Sequence, residues 1–459
     1  MINEMKYYIK FQNQALSELR RNLLADLSNE YFACLLAKTH VIADLCIITV
    51  VKAVYPDLSY YQRQGTAALK VSSDFMREVL IEADKRIDVD TVIDVHTHPF
   101  SMASAWFSGV DDRDEENFAR YLHEEAPEIS YLSIVFSQTT YQARFWDASG
   151  NGRPRHYPAF IRTQKLSEAI PSSDDPPEKD NPEISEMFNR SVLALGMDTM
   201  RKITGGQEIT VTGVGGIGSI IAEQLVHMGF SRINLIDHDN LELSNLNRIE
   251  GVTYEDAVSG KVKVDVIRNH LLSVNPEAQV NAYNMNVFDA GFEEIIARSD
   301  WIMIATDTAA SRYRIQELAF KYYVPFITAG VNITVDDGKI TDMSGETILV
   351  RIGDKVCLTC LGRLDYNEIA KEIHPDRRVR EGLVAKGYVT GLDVKEPAIK
   401  TLNTQLANMA VNVLVNQYTE RDRDAVITVY EDNGFPAIYE DTESVKFRDL
   451  HCRVCDIQG

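Results

Sequence analysis

A glycine-rich turn restricts the folds open to this chain. The turn, Thr212-Gly213-Val214-Gly215-Gly216-Ile217-Gly218-Ser219, follows the strand pattern Glu208–Val211 and begins a helical pattern over Ile217–Met228. Glycines let the backbone bend tightly and approach a phosphate, and the N-terminus of the following helix offers free N–H groups. About twenty residues further on, Asp237 ends the next strand pattern, where a carboxylate can bind ribose hydroxyls. These residues alone predict a nucleotide site that suits NAD and ATP equally well.

Strand and helix patterns alternate through this region, which predicts a Rossmann-like, parallel, doubly wound α/β sheet. The predicted elements after the turn are the strands Ile233–Asp237 and Trp301–Asp307 and the helices Lys261–Val274 and Ala309–Tyr323. Earlier in the chain, short β-branched and aromatic runs are mixed with helical patterns, and we expect an α+β domain there. Its predicted elements are the strands Tyr31–Leu36, Leu45–Val51, Thr91–Val95 and Tyr131–Phe136 and the helix Phe75–Ile87.

A proline-rich acidic segment separates the two regions. Ile170–Glu183 holds four prolines and five acidic residues against one lysine, a composition typical of an extended, solvated connector. We therefore predict an α+β domain over residues 1–165, a linker over 166–183 and a doubly wound α/β domain over 184–459.

Charge and hydropathy exclude several function classes. The 459 residues carry a net charge of −21, and such a field repels nucleic acid and anionic membranes. The longest apolar run, Cys46–Val51, is much shorter than the roughly 18 residues of a membrane span. Met1–Gln14 has charged residues and no apolar segment typical of a secretory signal. We expect a soluble cytoplasmic enzyme.

Four of the six cysteines form two C-x-x-C pairs, Cys357/Cys360 and Cys452/Cys455. In a reducing compartment two such pairs predict a tetrahedral four-thiolate zinc site, which stabilises a fold without doing chemistry. A redox-active pair or unrelated buried thiols are the alternatives. Cys34 and Cys46 lie among apolar residues and are expected to be small buried hydrophobes.

Further polar motifs follow the glycine turn in a fixed order and decide between the two nucleotides. The motifs are Asp237-His238-Asp239-Asn240-Leu241-Glu242-Leu243-Ser244-Asn245-Leu246-Asn247-Arg248, Gly260-Lys261-Val262-Lys263 and Ala305-Thr306-Asp307. Together with Phe188-Asn189-Arg190 upstream, they resemble the ThiF/MoeB family, the adenylylating domain of ubiquitin-activating enzymes. The resemblance covers residues 187–459, and Cys452-x-x-Cys455 matches the zinc site of that family.

The resemblance implies an ATP and Mg²⁺ site. Its implied nucleotide-binding residues are Gly213, Gly215, Gly216, Gly218, Asp237, Asn245, Arg248, Lys263 and Asp307. The chemistry is consistent with this, because a carboxylate that attacks the α-phosphorus of ATP meets an anion, and cations such as Arg248 and Lys263 must neutralise it. Asp307, at the end of a parallel strand, can hold Mg²⁺. Arg190 resembles the arginine that reaches the ATP of a neighbouring subunit, which would require a homodimer.

One departure from the family concerns the product. Many ubiquitin-activating enzymes have a catalytic cysteine before their last helices, but Asp365–Asn403 contains none. We therefore expect an acyl-adenylate without a thioester on this chain. The acyl group would pass to a sulfur donor, to the cysteine of a conjugating enzyme or to another nucleophile.

The first region carries a separate set of metal-binding residue types. His96 and His98 alternate on one predicted strand, so both imidazoles point to the same side, and Ser108 and Asp111 follow. Two histidines and a carboxylate, with a fourth position for water, predict a catalytic zinc site. In the alternative, Asp111 caps a helix and the histidines lie on the strand surface.

The pattern His-x-His-Pro followed by Ser-x-x-Asp resembles the JAB/JAMM metallo-isopeptidases, over about residues 1–165. The resemblance implies that a glutamate activates the zinc-bound water, and Glu30 matches that position best. Ser108 would then hydrogen-bond the oxyanion. The segment between Pro99 and Ser108 is about two residues longer than is usual in the family, and its Trp106 and Phe107 either line a substrate channel or pack in the core.

Both resemblances imply substrates with a ubiquitin-like fold. We therefore predict a bifunctional enzyme that adenylylates the C-terminus of a ubiquitin-like modifier and removes that modifier, or its precursor tail, with zinc. In a second hypothesis the chain activates a sulfur carrier or a small peptide, with a trimming zinc domain; in a third, that domain only docks the modifier. The order of the two domains is similar to components of bacterial ubiquitin-like conjugation operons, some of which serve antiviral defence.

Overall fold

A computed structural model of the chain describes residues 5–66, 68–150, 152–165, 168–175, 184–373, 397–419, 421 and 425–456. The described residues fall into two compact units, one ending at Asp175 and the other running from Ile184 to Asp456. In these ranges we find no helix whose length and apolar character would allow it to cross a membrane.

The first unit is built around a closed barrel of seven strands in the order β1-β3-β2-β6-β7-β8-β9, in which β9 pairs with β1. A separate hairpin, β4–β5, lies between β3 and α2. The elements of this unit are β1 (Lys6–Lys10), α1 (Ala15–Leu23), β2 (Phe32–Ile42), β3 (Leu45–Val54), β4 (Tyr61–Gly65), β5 (Ala68–Val71), α2 (Ser73–Asp84), β6 (Thr91–Thr97), α3 (Gly109–Glu125), β7 (Ser130–Phe136), β8 (Tyr141–Asp147) and β9 (Arg155–Arg162).

The central strands of the barrel are buried on both faces. On β2, Leu35 belongs to the cluster inside the barrel, whereas Leu36 packs with Phe75 of α2 and Leu122 of α3 outside it. Because side chains alternate along a strand, a strand between two apolar layers has a continuous apolar sequence. This explains why the run around Leu35 contains so few polar residues.

The described part of the predicted linker, Ile170–Asp175, is mostly exposed but is hydrogen-bonded to the first unit, so it differs from the free extended connector that we expected. Tyr141 of β8 donates its N–H to the Pro171 carbonyl (3.2 Å), and Ser173 donates its N–H to the Tyr141 carbonyl (2.7 Å). Ser172 is buried. Backbone groups of Pro171 and Ser173 thus pair with Tyr141, the first residue of β8, and the compact unit extends to Asp175. The remainder of the predicted linker, residues 176–183, lies outside the described residues.

The second unit contains an eight-stranded sheet in the order β12-β11-β10-β13-β14-β15-β16-β17. Its strands are β10 (Glu208–Thr212), β11 (Arg232–Asp237), β12 (Gln279–Asn284), β13 (Trp301–Ile304), β14 (Phe326–Asp336), β15 (Lys339–Val350), β16 (Ile427–Asp432) and β17 (Pro436–Glu440). Its helices are α4 (Asn189–Leu195), α5 (Met197–Thr204), α6 (Gly218–Met228), α7 (Tyr254–Val258), α8 (Lys263–Val274), α9 (Phe292–Arg298), α10 (Ala309–Lys321), α11 (Tyr366–Ile373), α12 (Lys400–Asn416) and α13 (Thr442–Lys446).

The sheet is mixed, which corrects the expectation of a parallel sheet. The neighbouring pairs β12–β11, β11–β10, β10–β13 and β13–β14 are parallel. The pairs β14–β15, β15–β16 and β16–β17 are antiparallel. Asp337 and Gly338 join β14 to β15 with positive φ at both positions (47° and 71°). Such a two-residue turn matches the twist of a hairpin and sends the chain back beside itself. The Asp-Gly dipeptide was the sequence signal for this hairpin.

Candidate functional sites

The glycine turn lies where β10, β11 and β13 end, and two of its glycines are required by the fold. Gly213 has φ of 79° and donates its N–H to the Ile236 carbonyl (2.8 Å). A Cβ on Gly213 would lie 2.9 Å from the Ala305 carbonyl oxygen, and one on Gly218 would lie 1.8 Å from the Gly213 carbonyl oxygen. Neither position can accept a side chain without moving the backbone.

The two middle glycines have different surroundings. A Cβ on Gly215 would have no atom within 4 Å, so this side of the turn faces open space at the N-terminus of α6. A Cβ on Gly216 would lie 2.3 Å from Nδ2 of Asn403 and 3.1 Å from Cδ of Arg248. One face of the turn is therefore open to a ligand, and the other is covered by two side chains.

Asp237 links the turn to the end of β11. Its Oδ2 accepts the N–H of Val214 (2.9 Å), and its Oδ1 accepts the N–H of Asp239 (2.9 Å). The Nζ of Lys263 lies 3.9 Å from Asp237 and 2.7 Å from Asp239. Burial raises the pKa of Asp239, but the hydrogen bond and charge of Lys263 outweigh it and lower that pKa below its usual value. Lys263 is thus held near the end of β11, paired with the carboxylate of Asp239.

Asn245 and Arg248 lie in the segment that follows Asp239. The buried Asn245 accepts the N–H of Glu242 (3.0 Å) and so fixes the short 3-10 turn Leu243–Asn245. Arg248 donates from Nη1 to the Ser244 carbonyl (2.7 Å), and its aliphatic stem covers Gly216. The fold therefore brings Arg248 to the glycine turn, whereas the contacts of Asn245 are those of a turn residue.

Asp307 and Arg190 are both exposed. Asp307 comes three residues after β13, beside Thr308, whose side chain accepts the N–H of Ser311 and caps α10. Arg190 lies on α4, and no described residue hydrogen-bonds its side chain. Its predicted role in a neighbouring subunit stays a prediction.

Asn403 also lies beside the glycine turn, and no motif in the sequence indicated this position. It lies on α12, is 3% exposed, and its Oδ1 has no hydrogen-bond partner among the described residues. Most of the segment in which a catalytic cysteine was sought, residues 374–396, lies outside the described residues. An amide without a partner beside a glycine turn has no sequence signature, because it depends on how α12 packs.

In the first unit, His96, His98 and Asp111 converge. One ligand atom from each lies within 4.8 Å of the others. The two histidines are buried (7% and 5% exposed), and the Nε2 of His96 and the Nδ1 of His98 have no hydrogen-bond partner among the described residues. The Nε2 of His96 is 3.7 Å from Oδ2 of Asp111. Buried imidazole nitrogens without partners are costly unless a ligand satisfies them, so this set fits a metal ion.

The observed geometry differs from the alternative in which Asp111 caps a helix and the histidines lie on the strand surface. Ser108 is the N-cap of α3, and its Oγ accepts the N–H groups of Val110 and Asp111 (3.3 Å each). Asp111 is the third helical residue and accepts the Ser108 N–H (2.6 Å) in a capping box. The capping box holds the carboxylate beside His96, and the histidines are buried rather than on a surface. The Ser108 hydroxyl still has its own proton to donate.

Burial and charge perturb the titration of this cluster. Burial lowers the pKa of His96, but its contact with Asp111 outweighs this and raises that pKa. The pKa of His98 falls to about 4 through burial and the charge of His96. Burial raises the pKa of Glu30 to about 7, with His96 opposing and Asp111 reinforcing the shift. Glu30 therefore lies within electrostatic reach of both ligand residues, with a pKa suited to proton transfer near neutrality.

Hydrogen bonds fix the backbone of Glu30 on both sides. Its N–H donates to the Gly65 carbonyl (3.0 Å), and its carbonyl accepts from Nε2 of Gln64 (3.0 Å) in the β4–β5 hairpin. The next residue, Tyr31, donates its N–H to Oγ1 of Thr97 beside the histidines (2.9 Å). The hairpin is thus the element that positions Glu30, and we did not predict it from the sequence.

The loop from Pro99 to Phe107 surrounds the histidines with aromatic rings. The ring of Phe100 stacks on His98 (5.2 Å between centroids), and Trp106 meets His98 edge-on (5.5 Å). Phe107 meets His96 (6.1 Å) and packs under the Arg144 guanidinium (3.7 Å). Trp106 is 44% exposed, so it borders the site at the surface, whereas Phe107 packs inward.

The four paired cysteines also converge. Cys357, Cys360, Cys452 and Cys455 are buried, and their sulfurs lie within 4.8 Å of one another. The Sγ atoms of Cys357 and Cys452 are 3.5 Å apart, and those of Cys360 and Cys455 are 3.8 Å apart. Tetrahedral zinc with bonds of about 2.3 Å requires about 3.8 Å between sulfurs. The spacing therefore fits zinc. Cys34 and Cys46 are buried elsewhere, and burial raises the pKa of each thiol.

Comparison with known proteins gives a family match that lies within the second unit. The family model described as the ThiF family matches residues 188–444. The molybdopterin-synthase adenylyltransferase of Escherichia coli (strain K12) is 27% identical over 179 residues, which cover 39% of this chain and 68% of that protein. Ubiquitin-like modifier-activating enzyme 5 of Caenorhabditis elegans is 25% identical over 265 residues, covering 54% of this chain and 58% of the enzyme.

Two further matches are a curated relative and a solved structure. The tRNA threonylcarbamoyladenosine dehydratase of Bacillus subtilis (strain 168) is 29% identical over 143 residues, 31% of this chain and 55% of that protein. The chain thus spans between about half and two thirds of the length of these three relatives. A crystal structure of E. coli MccB with ATP aligns with a TM-score of 0.45 at 19% identity, covering 61% of this chain and 76% of that one.

Proposed function

This chain belongs to the ThiF family, and from that premise we propose that its second unit activates the C-terminal carboxylate of a small protein or peptide by adenylylation. The observation that carries the proposal is the set of groups at the ends of β10, β11 and β13. A glycine turn with one open face, a carboxylate and a lysine meet there, at the edge where open α/β sheets bind ligands.

In the proposed reaction a carboxylate oxygen of the substrate attacks the α-phosphorus of ATP. The bond between the α-phosphorus and the bridging oxygen breaks, pyrophosphate leaves with its electron pair, and an acyl-adenylate forms. Lys263 exchanges Asp239 for the triphosphate, and Arg248 approaches the same phosphates over Gly216. Both cations reduce the repulsion between the two anions. Asp307 would hold Mg²⁺, which neutralises phosphate charge when bound.

ATP–pyrophosphate exchange with candidate small proteins tests this proposal. We expect Lys263→Gln to reduce exchange at least 100-fold, because it removes a cation from the site. Lys261→Gln is the matched control, since Lys261 is exposed and pairs with Asp256 (2.7 Å) instead. Wild-type protein that binds a dinucleotide but not ATP would contradict the proposal.

The acyl group has two proposed destinations, a conjugate or a thiocarboxylate. The relatives include both a molybdopterin-synthase adenylyltransferase and a ubiquitin-like modifier-activating enzyme. Mass analysis of the small protein after reaction separates the outcomes: replacement of oxygen by sulfur at its C-terminus supports a sulfur carrier, and a covalent adduct supports a modifier that a conjugating enzyme receives.

We also propose that Arg190 acts on the ATP of the other subunit of a homodimer. Co-expression of Arg190→Ala with Lys263→Gln tests this, because a mixed dimer has one site with both residues intact. We expect each variant alone to be inactive and the mixed dimer to regain exchange. An inactive mixed dimer, shown to contain both chains, would contradict the arrangement.

For the first unit we propose a zinc-dependent hydrolase that cleaves peptide or isopeptide bonds of the same small protein. His96, His98 and Asp111 would hold zinc, which polarises a carbonyl and lowers the pKa of water when bound. Glu30 would take a proton from the attacking water and later pass it to the leaving amine. Ser108 would donate its hydroxyl proton to the tetrahedral oxyanion.

Variants that separate zinc binding from catalysis test this proposal. We expect His96→Ala to lose one zinc per chain and all precursor cleavage, and Glu30→Gln to keep zinc while losing cleavage. His40→Ala, on β2 of the same barrel, is the control for removing a strand histidine. If neither variant changes cleavage, the unit only docks the modifier.

We further propose that the four cysteines hold a structural zinc.

A further inference from the structure

We infer that Arg144 of β8 is a positioning residue for the metal site of the first unit. It holds the first turn of α3, which carries Asp111, and the ring of Phe107, which contacts His96, in the places that zinc binding requires. The inference rests on the proposed zinc site and adds to it a residue that lies outside the motifs of that site.

Two neighbouring rows of side chains across β6, β7 and β8 connect Arg144 to the site. His96 of β6 and Gln142 of β8 lie in one row, and Asp94, Ser133 and Arg144 form the next. Alternate residues of a strand point to the same side, so both rows face the same way. This is the side on which α3 packs, because a carboxylate of α3 bonds to the second row. β8 therefore reaches α3 from the face that carries the histidine.

Arg144 bonds to two carboxylates of α3. Its Nε donates to Oε2 of Glu115 (2.8 Å), and its Nη1 donates to Oδ1 of Asp112 (2.7 Å). Glu115 also accepts the Nε1–H of Trp146 (2.9 Å), which ties it to β8 a second time. Asp112 directly follows Asp111, so one guanidinium fixes the helical turn that supplies the carboxylate ligand. A lysine has no fork of donors with which to make both bonds.

The same guanidinium also holds the residue that precedes α3 and its N-cap. It lies 3.7 Å from the centroid of the Phe107 ring, which in turn meets the ring of His96 (6.1 Å between centroids). The N–H of Phe107 donates to Oε1 of Gln142, two residues before Arg144 on β8 (3.2 Å). Ser108, the N-cap of α3, comes next in the chain. β8 thus fixes both the ring and the backbone at the start of the helix.

Stability alone does not explain this buried ion pair. Arg144 and Glu115 are each 5% exposed, and their attraction repays only part of the cost of removing both charges from water. Apolar residues of similar volume often stabilise a core as well as such a pair does. What the charged pair adds is a fixed geometry. A metal site needs this, because its ligands must all approach one ion at defined distances, and residues that orient the ligands change metal affinity by about 10–100-fold.

Zinc binding by the full chain tests the inference, measured as zinc bound per chain in metal-buffered solution. His96→Ala gives the baseline, because it retains only the proposed cysteine site. We expect Arg144→Lys, which keeps the charge but not the fork, to weaken zinc binding at the histidine site about tenfold or more. Arg153→Lys is the matched control, since Arg153 pairs with Glu116 of the same helix (2.9 Å) but is exposed. Its zinc affinity should stay within twofold of wild type.

A second variant separates positioning from stability. Arg144→Met combined with Glu115→Gln removes both charges of the pair and leaves the net charge unchanged. It should fold, because glutamine still accepts the N–H of Trp146 and methionine fills a similar volume, and it should also bind zinc about tenfold more weakly. A merely structural Arg144 would give lower melting temperatures with unchanged zinc affinity of the folded protein. Zinc affinity within twofold of wild type in either variant overturns the inference alone. Wild-type protein that binds no more zinc than His96→Ala overturns the proposed zinc site as well.

Discussion

Alanine substitutions at two glycines of the same turn should have opposite effects on stability and on ATP binding. At Gly218 the new Cβ would lie 1.8 Å from the Gly213 carbonyl oxygen. A carbon–oxygen contact needs about 3.3 Å, so the backbone must move by about 1.5 Å. Overpacking of this kind costs about 1–3 kcal/mol, and the better helix propensity of alanine returns at most about 1 kcal/mol. Because the clashing oxygen belongs to the backbone and cannot rotate away, we expect the upper end of that cost and a net loss of about 2 kcal/mol.

At Gly215 no atom lies within 4 Å of the new Cβ. Alanine there should leave the free energy of unfolding unchanged or raise it by up to about 1 kcal/mol, because it restricts the unfolded chain. The methyl group would fill the open side of the turn, where a phosphate must approach the backbone. We therefore expect ATP affinity to fall at least tenfold in a protein that is otherwise normally folded.

Calorimetry measures both quantities on each variant. Gly218→Ala should lower the melting temperature of the second unit by roughly 4–8 °C, at about 2–4 °C per kcal/mol. Gly215→Ala should retain its melting temperature without ATP and lose the stabilisation that ATP gives the wild type. Unchanged ATP affinity in Gly215→Ala would refute the placement of the phosphates on this face of the turn.

Three other changes should have measurable outcomes. Cys452→Ser should lower the zinc content by one ion per chain and reduce the melting temperature of the second unit, measured by metal analysis and calorimetry; full zinc content would contradict the four-thiolate site. Burial raises the pKa of Asp94 to about 8, with Glu115 adding to the shift. In metal-free protein Asp94 therefore keeps its proton to a higher pH than the unfolded chain does, and the free energy of unfolding should fall as the pH rises above about 4. Denaturant titrations should show Asp94→Asn flattening this dependence, and an equal slope in the variant would assign it to other groups. A fragment ending at residue 165 should unfold at a lower temperature than one ending at 175, because it lacks the bonds between Tyr141, Pro171 and Ser173; equal melting temperatures would mean that these bonds do not stabilise the barrel.

Local sequence patterns predicted those elements whose geometry is set by residues adjacent in the chain. The glycine turn, the strand before it and the helix after it were predicted because the turn geometry and the change of periodicity are properties of a few adjacent residues. The pairing of Cys357 and Cys360 with Cys452 and Cys455 was predictable for a related reason, since each pair has ligand spacing of its own. In the structure all four sulfurs meet.

Contacts between distant segments could not be predicted in this way. The packing of Ile170–Asp175 depends on Tyr141, the first residue of β8, lying before the part of β8 that pairs with β9, which composition does not reveal. The Asp337-Gly338 dipeptide is a local signal for a hairpin between β14 and β15. That this hairpin extends the parallel sheet with antiparallel strands follows only from the position of β14 beside β13.

The amino-acid sequence by itself determined which residue types are available for chemistry: the glycines, His96 and His98, and the two cysteine pairs, each readable from spacing along a few residues. Only the tertiary structure decided the surroundings of these groups. It placed Asn403 of α12 against Gly216, paired Lys263 with Asp239, and set Glu30 between a hairpin and the histidine strand. The physical reason is that hydrogen bonding, burial and pKa depend on distances through space, and residues far apart in the chain set those distances.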